Sequence, residues 1–330
     1  MRALTIRPGE GRPPELTELP EPDPAEGPVL VQSLAVGICG TDRELLAGDG
    51  YGAPPPGADR LVLGHEGLGR VIAGPGTGDL VVGMVRHPDP LPCPECAAGE
   101  WDRCANGDYT EHGIRGRHGF ARERWRTTPD RLVRLDPALD RVGVLLEPAS
   151  IVAKAWEGIE RVTGPGRRTV LVTGAGPIGL LAALLGAQLG HDVHVLDLAP
   201  DGPKPALAGE LGTYHTADPP EASVVLECTG AAEVVAAVLA GLPRNGTLCL
   251  TGVSPHPVPV RLTRDVVLFN QVVFGTVNAN RRHYERAAAA LRRADPSWLE
   301  RMITSRVPLD QAAGAFAPTR DIKVVLEVAA

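Results

Sequence analysis

The run Gly174-Ala175-Gly176-Pro177-Ile178-Gly179 leaves few folds open to this chain, because of what stands on either side of it. A continuous apolar stretch from Arg168 to Thr173 precedes it, and an Ala- and Leu-rich helical stretch from Ile178 to Leu189 follows. Asp192-Val193-His194-Val195-Leu196 then reads as the next strand. Strand, glycine turn, helix and strand make the βαβ unit of a parallel sheet. In such a turn the glycines permit a sharp reversal and close approach of backbone to a pyrophosphate, and the helix start offers unpaired N–H groups. Pro177 suits a first helical position, where an N–H would be unpaired anyway. Asp197 stands about 20 residues downstream, where a carboxylate can accept both hydroxyls of an adenosine ribose. It also reads as a turn residue in Asp197-Leu198-Ala199-Pro200. Its charge, and the absence of Arg over the next several residues, favour NAD over NADP.

The texture before this unit is different. Short strand-like runs, such as Val29-Leu30-Val31 and Arg70-Val71-Ile72, are broken by Gly and Pro at close intervals, which fits a small, mostly antiparallel β domain. After the glycine turn, strands are expected at 223–227 and 246–250 with a helix at 231–242 between them, and the alternation persists to about Phe274. The tail carries one Ala-rich helix at 284–293 and a last strand, Lys323-Val324-Val325-Leu326-Glu327, expected to return to the first domain. The expected division is 1–151, a catalytic β domain; 152–279, a dinucleotide-binding Rossmann domain; and 280–330, the return.

A net charge of −7 without a basic block argues against a nucleic-acid partner. No stretch approaches the ~20 apolar residues of a membrane span, and the amino terminus lacks the apolar core of a signal peptide. A cytoplasmic protein is expected. In that reducing compartment the six cysteines are ligands or core thiols rather than disulfides.

Cys39, His65-Glu66 and Glu147-Pro148 offer a thiolate, an imidazole and carboxylates, which with one open position would make a catalytic zinc site. Taken singly, each has an ordinary use: a small core thiol, a satisfied core histidine, a helix start. Thr41-x-x-Glu44 before Leu45-Leu46 reads equally as a capping box.

In Gly37-Ile38-Cys39-Gly40-Thr41-Asp42, Gly64-His65-Glu66 and Leu145-Leu146-Glu147-Pro148, the chain resembles the zinc-dependent medium-chain dehydrogenase/reductase family nearly end to end. The stretches from Cys39 to Glu44, Leu61 to Glu66 and Gly275 to Asn280 look like its glucose 1-dehydrogenase branch, which oxidises aldoses at the anomeric carbon. The resemblance implies a Rossmann doubly wound parallel sheet plus a GroES-like, mostly antiparallel β domain. It implies Cys39, His65 and Glu147 as zinc ligands, Glu66 as a direct ligand or a partner behind them, and Thr41 as the start of a proton relay.

Cys93-x2-Cys96-x7-Cys104 matches the last three ligands of the family's structural zinc lobe, with Asp89 expected as the fourth. Glu111 matches a sugar-contacting Glu, and Asn278 an Asn that contacts sugar beside the nicotinamide. Ile151 and Leu268 stand where some relatives place further polar contacts, so a cyclitol, an aminocyclitol or another sugar stays open beside glucose. The resemblance also implies a homodimer or homotetramer. The reading is a zinc- and NAD-dependent oxidation of a sugar, polyol or cyclitol hydroxyl. Its alternatives are a secondary-alcohol dehydrogenase of the sorbitol type and an NAD-binding protein without turnover.

Overall fold

The computed structural model describes residues 1–48, 51–254, 256–258, 262–317 and 320–329. Two compact units divide the chain. The first comprises Met1–Glu147, Asn278–Arg292 and Ile303–Ala330, the second Pro148–Val277 and Arg293–Met302.

The first unit is built on a seven-stranded sheet. Leu132–Arg134, Leu80–Gly83, Glu66–Ala73, Val29–Gly37, Lys323–Glu327 and Ile303–Pro308 follow in that order, and Arg124–Thr127 also pairs with Val29–Gly37. All of these pairings are antiparallel except that of Lys323–Glu327 with Ile303–Pro308. Lys323–Glu327, almost three hundred residues downstream in sequence, thus lies beside Val29–Gly37, with Val325 opposite Gly37. Phe120, Trp125, Leu61, Leu63 and Val31 are buried in its core, which is aliphatic with few rings. A small separate sheet pairs Arg86–His87, Thr110–His112 and Gly116–Arg117.

The second unit holds six parallel strands with the order third, second, first, fourth, fifth, sixth: Thr213–His215, Asp192–Leu196, Thr169–Thr173, Val224–Glu227, Thr247–Leu250 and Val272–Gly275. That is the doubly wound order expected of a Rossmann sheet. The first strand is buried at four of five positions, since helices cover both faces of such sheets. The expected fold class, this doubly wound sheet plus a mostly antiparallel β unit, is the one found.

The tail differs from expectation in three elements: the strand Ile303–Pro308, the 3-10 helix Leu309–Phe316 and a further α-helix. Besides the Ala-rich helix Arg281–Arg293 there is a second helix, Pro296–Met302, which sits with the second unit. Trp298 anchors it there, fully buried and donating Nε1–H to Leu207 O at 3.0 Å. A seven-residue helix with one large apolar anchor leaves little periodic signal, so 293–302 does not follow the rest of the tail.

Candidate active site

Cys39 is the N-cap of the helix Gly40–Ala47, with extended backbone at φ −107° and ψ 168°. Asp42, three residues on, accepts a hydrogen bond from Cys39 N through Oδ2 at 2.9 Å, and its Oδ1 lies 3.5 Å from His65 Nδ1. One buried carboxylate therefore holds the backbone of the sulfur donor and faces the ring of the imidazole donor. The use of Thr41 and Glu44 as a capping box is corrected: the cap lies two residues earlier, and Asp42, at the third helical position, reaches back to it. Thr41 sits half-buried in the first turn.

Glu66 begins the strand Glu66–Ala73 and forms an ion pair with Lys323, whose Nζ also donates to Ile38 O at 3.0 Å. Both side chains are almost fully buried. They fit because position 37 is glycine: a Cβ there would stand 2.0 Å from Glu66 Oε2 and 2.8 Å from Lys323 Cε.

The donor atoms of Cys39, His65 and Glu66 lie within 4.8 Å of one another. Glu147 lies outside that group but acts on it. Burial pushes its carboxyl up to about 7, with Glu66 and Asp42 adding to the shift and His65 and Lys323 opposing it. Burial disfavours a charged imidazole at His65, yet Asp42 and Cys39 hold its pKa well above the usual value. The donor set fits zinc: thiol, imidazole and carboxylate are its three ligand types, and three buried carboxylates, Asp42, Glu66 and Glu147, have Lys323 and His65 among the counter-charges around them. A divalent cation would balance that excess.

A second cluster gathers Cys93, Cys96 and Cys104, whose sulfurs also lie within 4.8 Å of one another. Cys93 Sγ accepts from the N–H of Cys96 at 3.5 Å and of Ala105 at 3.4 Å, and these bonds lower its pKa. A turn that aims N–H groups at a sulfur favours thiolate, so this set also fits zinc. Asp89 is not in the group. Its Oδ1 accepts from Leu91 N and its Oδ2 from Asn106 Nδ2, both at 2.7 Å, so the carboxylate braces the loop that leads into the lobe.

Glu111 and Asn278 are brought together. Asn278 Nδ2 donates to Glu111 Oε1 at 2.6 Å, and the Arg86 guanidinium meets the same oxygen at 3.0 Å. Oε2 takes no hydrogen bond among the described residues. Asn278 has φ 57°, a left-handed conformation that Asn tolerates better than most side chains.

In the second unit the glycine turn has the expected form. Gly174 has φ 88°, Gly176 is the N-cap, Pro177 is the first residue of the helix Pro177–Gln188, and Ile178 and Gly179 complete its first turn. A Cβ on Gly179 would meet Gly174 O at 1.7 Å, so only glycine permits this closeness. Asp197 accepts from Ala175 N at 2.7 Å and from Ala199 N at 2.9 Å. Lys204 Nζ lies 3.2 Å from its Oδ2.

Residues 140–328 match the family described as Glucose dehydrogenase C-terminus, and residues 25–137 the Alcohol dehydrogenase GroES-like domain. The chain is 41% identical to a glucose 1-dehydrogenase of Thermoproteus tenax, with 99% of each chain covered. It belongs to the zinc-dependent medium-chain dehydrogenase/reductase family. A glucose 1-dehydrogenase of Methanocella arvoryzae is 37% identical over 100% of both chains. The structure of Haloferax mediterranei glucose dehydrogenase in complex with NADP, Zn and gluconolactone has a TM-score of 0.89 and 30% identity, covering 100% of both chains. Within the medium-chain family this chain falls in the glucose 1-dehydrogenase-like branch, and it is an oxidoreductase acting on CH–OH groups.

For this medium-chain dehydrogenase, sequence reasoning missed Asp42, Lys323, Arg86 and Lys204 as members of the sites. Asp42 had a local signal, a carboxylate three residues after a cap. Lys204 had one too, a basic residue seven positions after Asp197 in the first turn of the helix Pro203–Gly209. Lys323 and Arg86 reach their carboxylates through strand pairing, which no local pattern reveals.

Proposed function

We propose that this chain oxidises a hydroxyl of a sugar, polyol or cyclitol by reversible hydride transfer to NAD, with aldose oxidation at the anomeric carbon as the first expectation. The observation that carries this reading is the cluster of half-buried Cys39 with buried His65 and Glu66, and Glu147 acting on it, in the same compact unit as the Glu111–Asn278 pair. The relatives named glucose 1-dehydrogenase, and the neighbour holding NADP, Zn and gluconolactone, support it.

Cys39 and His65, with Glu147 and Glu66, would hold the catalytic zinc, and Cys93, Cys96 and Cys104 a structural one, for which Asp89 would have to leave its loop bonds. When bound, the catalytic metal supplies a Lewis acid that lowers the pKa of a hydroxyl, and the nicotinamide supplies the hydride acceptor. Asp42 fixes the Cys39 backbone and orients the His65 ring. Thr41, released from capping, presents a hydroxyl able to take the substrate proton and pass it to water. Glu111 Oε2 and the Asn278 amide suit a polyhydroxylated ligand, because a buried carboxylate and amide each pair with more than one hydroxyl.

Gly174, Gly176, Pro177, Ile178 and Gly179 would cradle the pyrophosphate, and Asp197 would take the adenosine ribose. The Lys204 ammonium partly neutralises Asp197, so the balance between NAD and NADP is set by this pair. Asp197→Ala should shift preference toward NADP and Lys204→Ala toward NAD; binding constants for NADH and NADPH that keep their ratio in both variants would defeat the assignment. A panel of aldoses, aldose phosphates, inositols and aminocyclitols tests the substrate class. No reduction of NAD or NADP by any of them in zinc-loaded protein would overturn the reading. A homodimer or homotetramer is the expected assembly, read by light scattering.

A further inference from the structure

The seven residues between Cys96 and Cys104 do more than join two thiols. Gly99 O accepts from Asn280 Nδ2 at 2.6 Å, and Asp102 Oδ1 accepts from the same nitrogen at 3.1 Å. Glu100 Oε1 pairs with Arg282 Nη1 at 2.7 Å. The backbone carbonyl of Asp102 accepts from Arg86 Nη1 at 3.2 Å, and Arg86 donates Nε–H to Glu111 Oε1 at 3.0 Å. Asn278, two residues before Asn280, closes the circuit on that same Glu111 oxygen at 2.6 Å. The lobe therefore grips Arg86 directly and Asn278 by way of Asn280, two residues along the chain, from one short segment.

The members that link the lobe to Glu111 are buried: Arg86, Asp102, Glu111, Asn278 and Asn280 are each less than a tenth exposed, whereas the Glu100–Arg282 pair lies partly in solvent. Hydrogen bonds among buried groups are directional and costly to break, so displacement of one member is passed to the next. Arg86 is further confined by the Tyr109 ring, 3.6 Å from its guanidinium carbon. The ends of the gripping segment are two thiols of the metal cluster, so its geometry depends on whether those sulfurs share an ion.

We propose that the three-cysteine lobe is part of the construction of the substrate site: the segment between Cys96 and Cys104, acting through Asp102, Arg86 and Asn280, places Glu111 and Asn278, so that metal in the lobe raises affinity for the polyhydroxylated substrate. Arg86, Asp102 and Asn280 are positioning residues. The inference rests on the reading that Glu111 and Asn278 contact substrate.

Three variants of the zinc-loaded protein test it. Asn280→Ala cuts the grip and leaves all three cysteines in place; it should raise KM about tenfold with kcat nearly unchanged, the size of one lost buried hydrogen bond. Zinc content and the Kd for NADH should stay at wild-type values. Cys104→Ser should lose one zinc per chain and show the same rise in KM. Coupling is reciprocal, so a saturating aldose should slow removal of lobe zinc by a chelator in wild type and not in Asn280→Ala. An unchanged KM in Asn280→Ala overturns the inference, and this variant decides the matter if Cys104→Ser does not fold. Glu111→Ala separates the two levels of argument. If it leaves KM unmoved, the substrate reading fails and the inference with it; if it raises KM while Asn280→Ala does not, only the brace fails.

Discussion

Asp42 carries no donor of its own to the metal cluster, yet both donors that flank it depend on it. Replacing it by Ala leaves Cys39 N without its 2.9 Å acceptor and removes the carboxylate facing His65 Nδ1. Loss of such an outer partner costs about 10–100-fold in metal affinity. Asp42→Ala should therefore bind catalytic zinc that much more weakly in a chelator competition, with the three-cysteine site unaffected; equal retention of both ions would refute this role. Lys323 acts differently, through charge. Removing one partner of a buried ion pair leaves the other uncompensated, at a cost of about 3–5 kcal/mol. Lys323→Met should lower the unfolding free energy of the metal-free protein, read from its urea curve, by that order, and Lys323→Met with Glu66→Gln should recover most of the loss. The candidate donors Cys39, His65, Glu66 and Glu147 are legible in the sequence because each lies in a short motif, and the structure brings the first three together. Asp42 and Lys323 were not singled out, since one acts through its place in a helix and the other through a strand brought from the far end of the chain.

At the scale of elements, the small sheet of Arg86–His87, Thr110–His112 and Gly116–Arg117 is where sequence said least. Its strands are two or three residues long, too short for any periodicity. It nevertheless holds a row of imidazoles with fixed tautomers. His112 Nδ1 faces His118 O at 2.8 Å, so that nitrogen carries the proton, and His112 Nε2 must accept from His87 Nε2 at 3.0 Å. His118 Nδ1 in turn accepts from Val62 N at 3.2 Å. A proton added to His112 would set two N–H groups against each other. Burial pushes the His112 pKa down to about 3, against about 6.5 for an unfolded histidine. Between those values the unfolded chain binds the proton and the folded chain does not. Stability present above pH 6.5 is therefore lost as pH falls toward 3, at up to about 1.4 kcal/mol per pH unit from this one group. Urea midpoints measured from pH 7 to pH 4 should fall with acid, and less steeply in His112→Asn. Equal slopes would show that His112 is protonated in the folded state. The long elements were the readable ones: the strand Asp192–Leu196 and the helix Pro177–Gln188 fall within a residue or two of their expected bounds, because apolar runs and a glycine turn mark their ends.

At the scale of the whole molecule, the metal cluster and the glycine cradle belong to different compact units, each with its own sheet and buried core. The division itself is only roughly visible in sequence, since the crossing after Glu147 falls inside the helix Leu146–Thr163 and carries no linker composition. Separate cores imply separable failures. Cys39→Ala removes a candidate zinc donor from the first unit, whereas Gly174, Gly179 and Asp197 belong to the second. It should abolish turnover, lower zinc from two ions per chain to one, and leave the Kd for NADH within about twofold of wild type, because sites that share no partners respond independently. Titration of the dinucleotide by fluorescence, beside metal analysis of the same sample, makes the comparison. Loss of NADH binding together with turnover in a variant that still melts cooperatively would mean that metal in the first unit governs the cofactor cradle. Turnover retained with one ion per chain would remove Cys39 from the chemistry altogether.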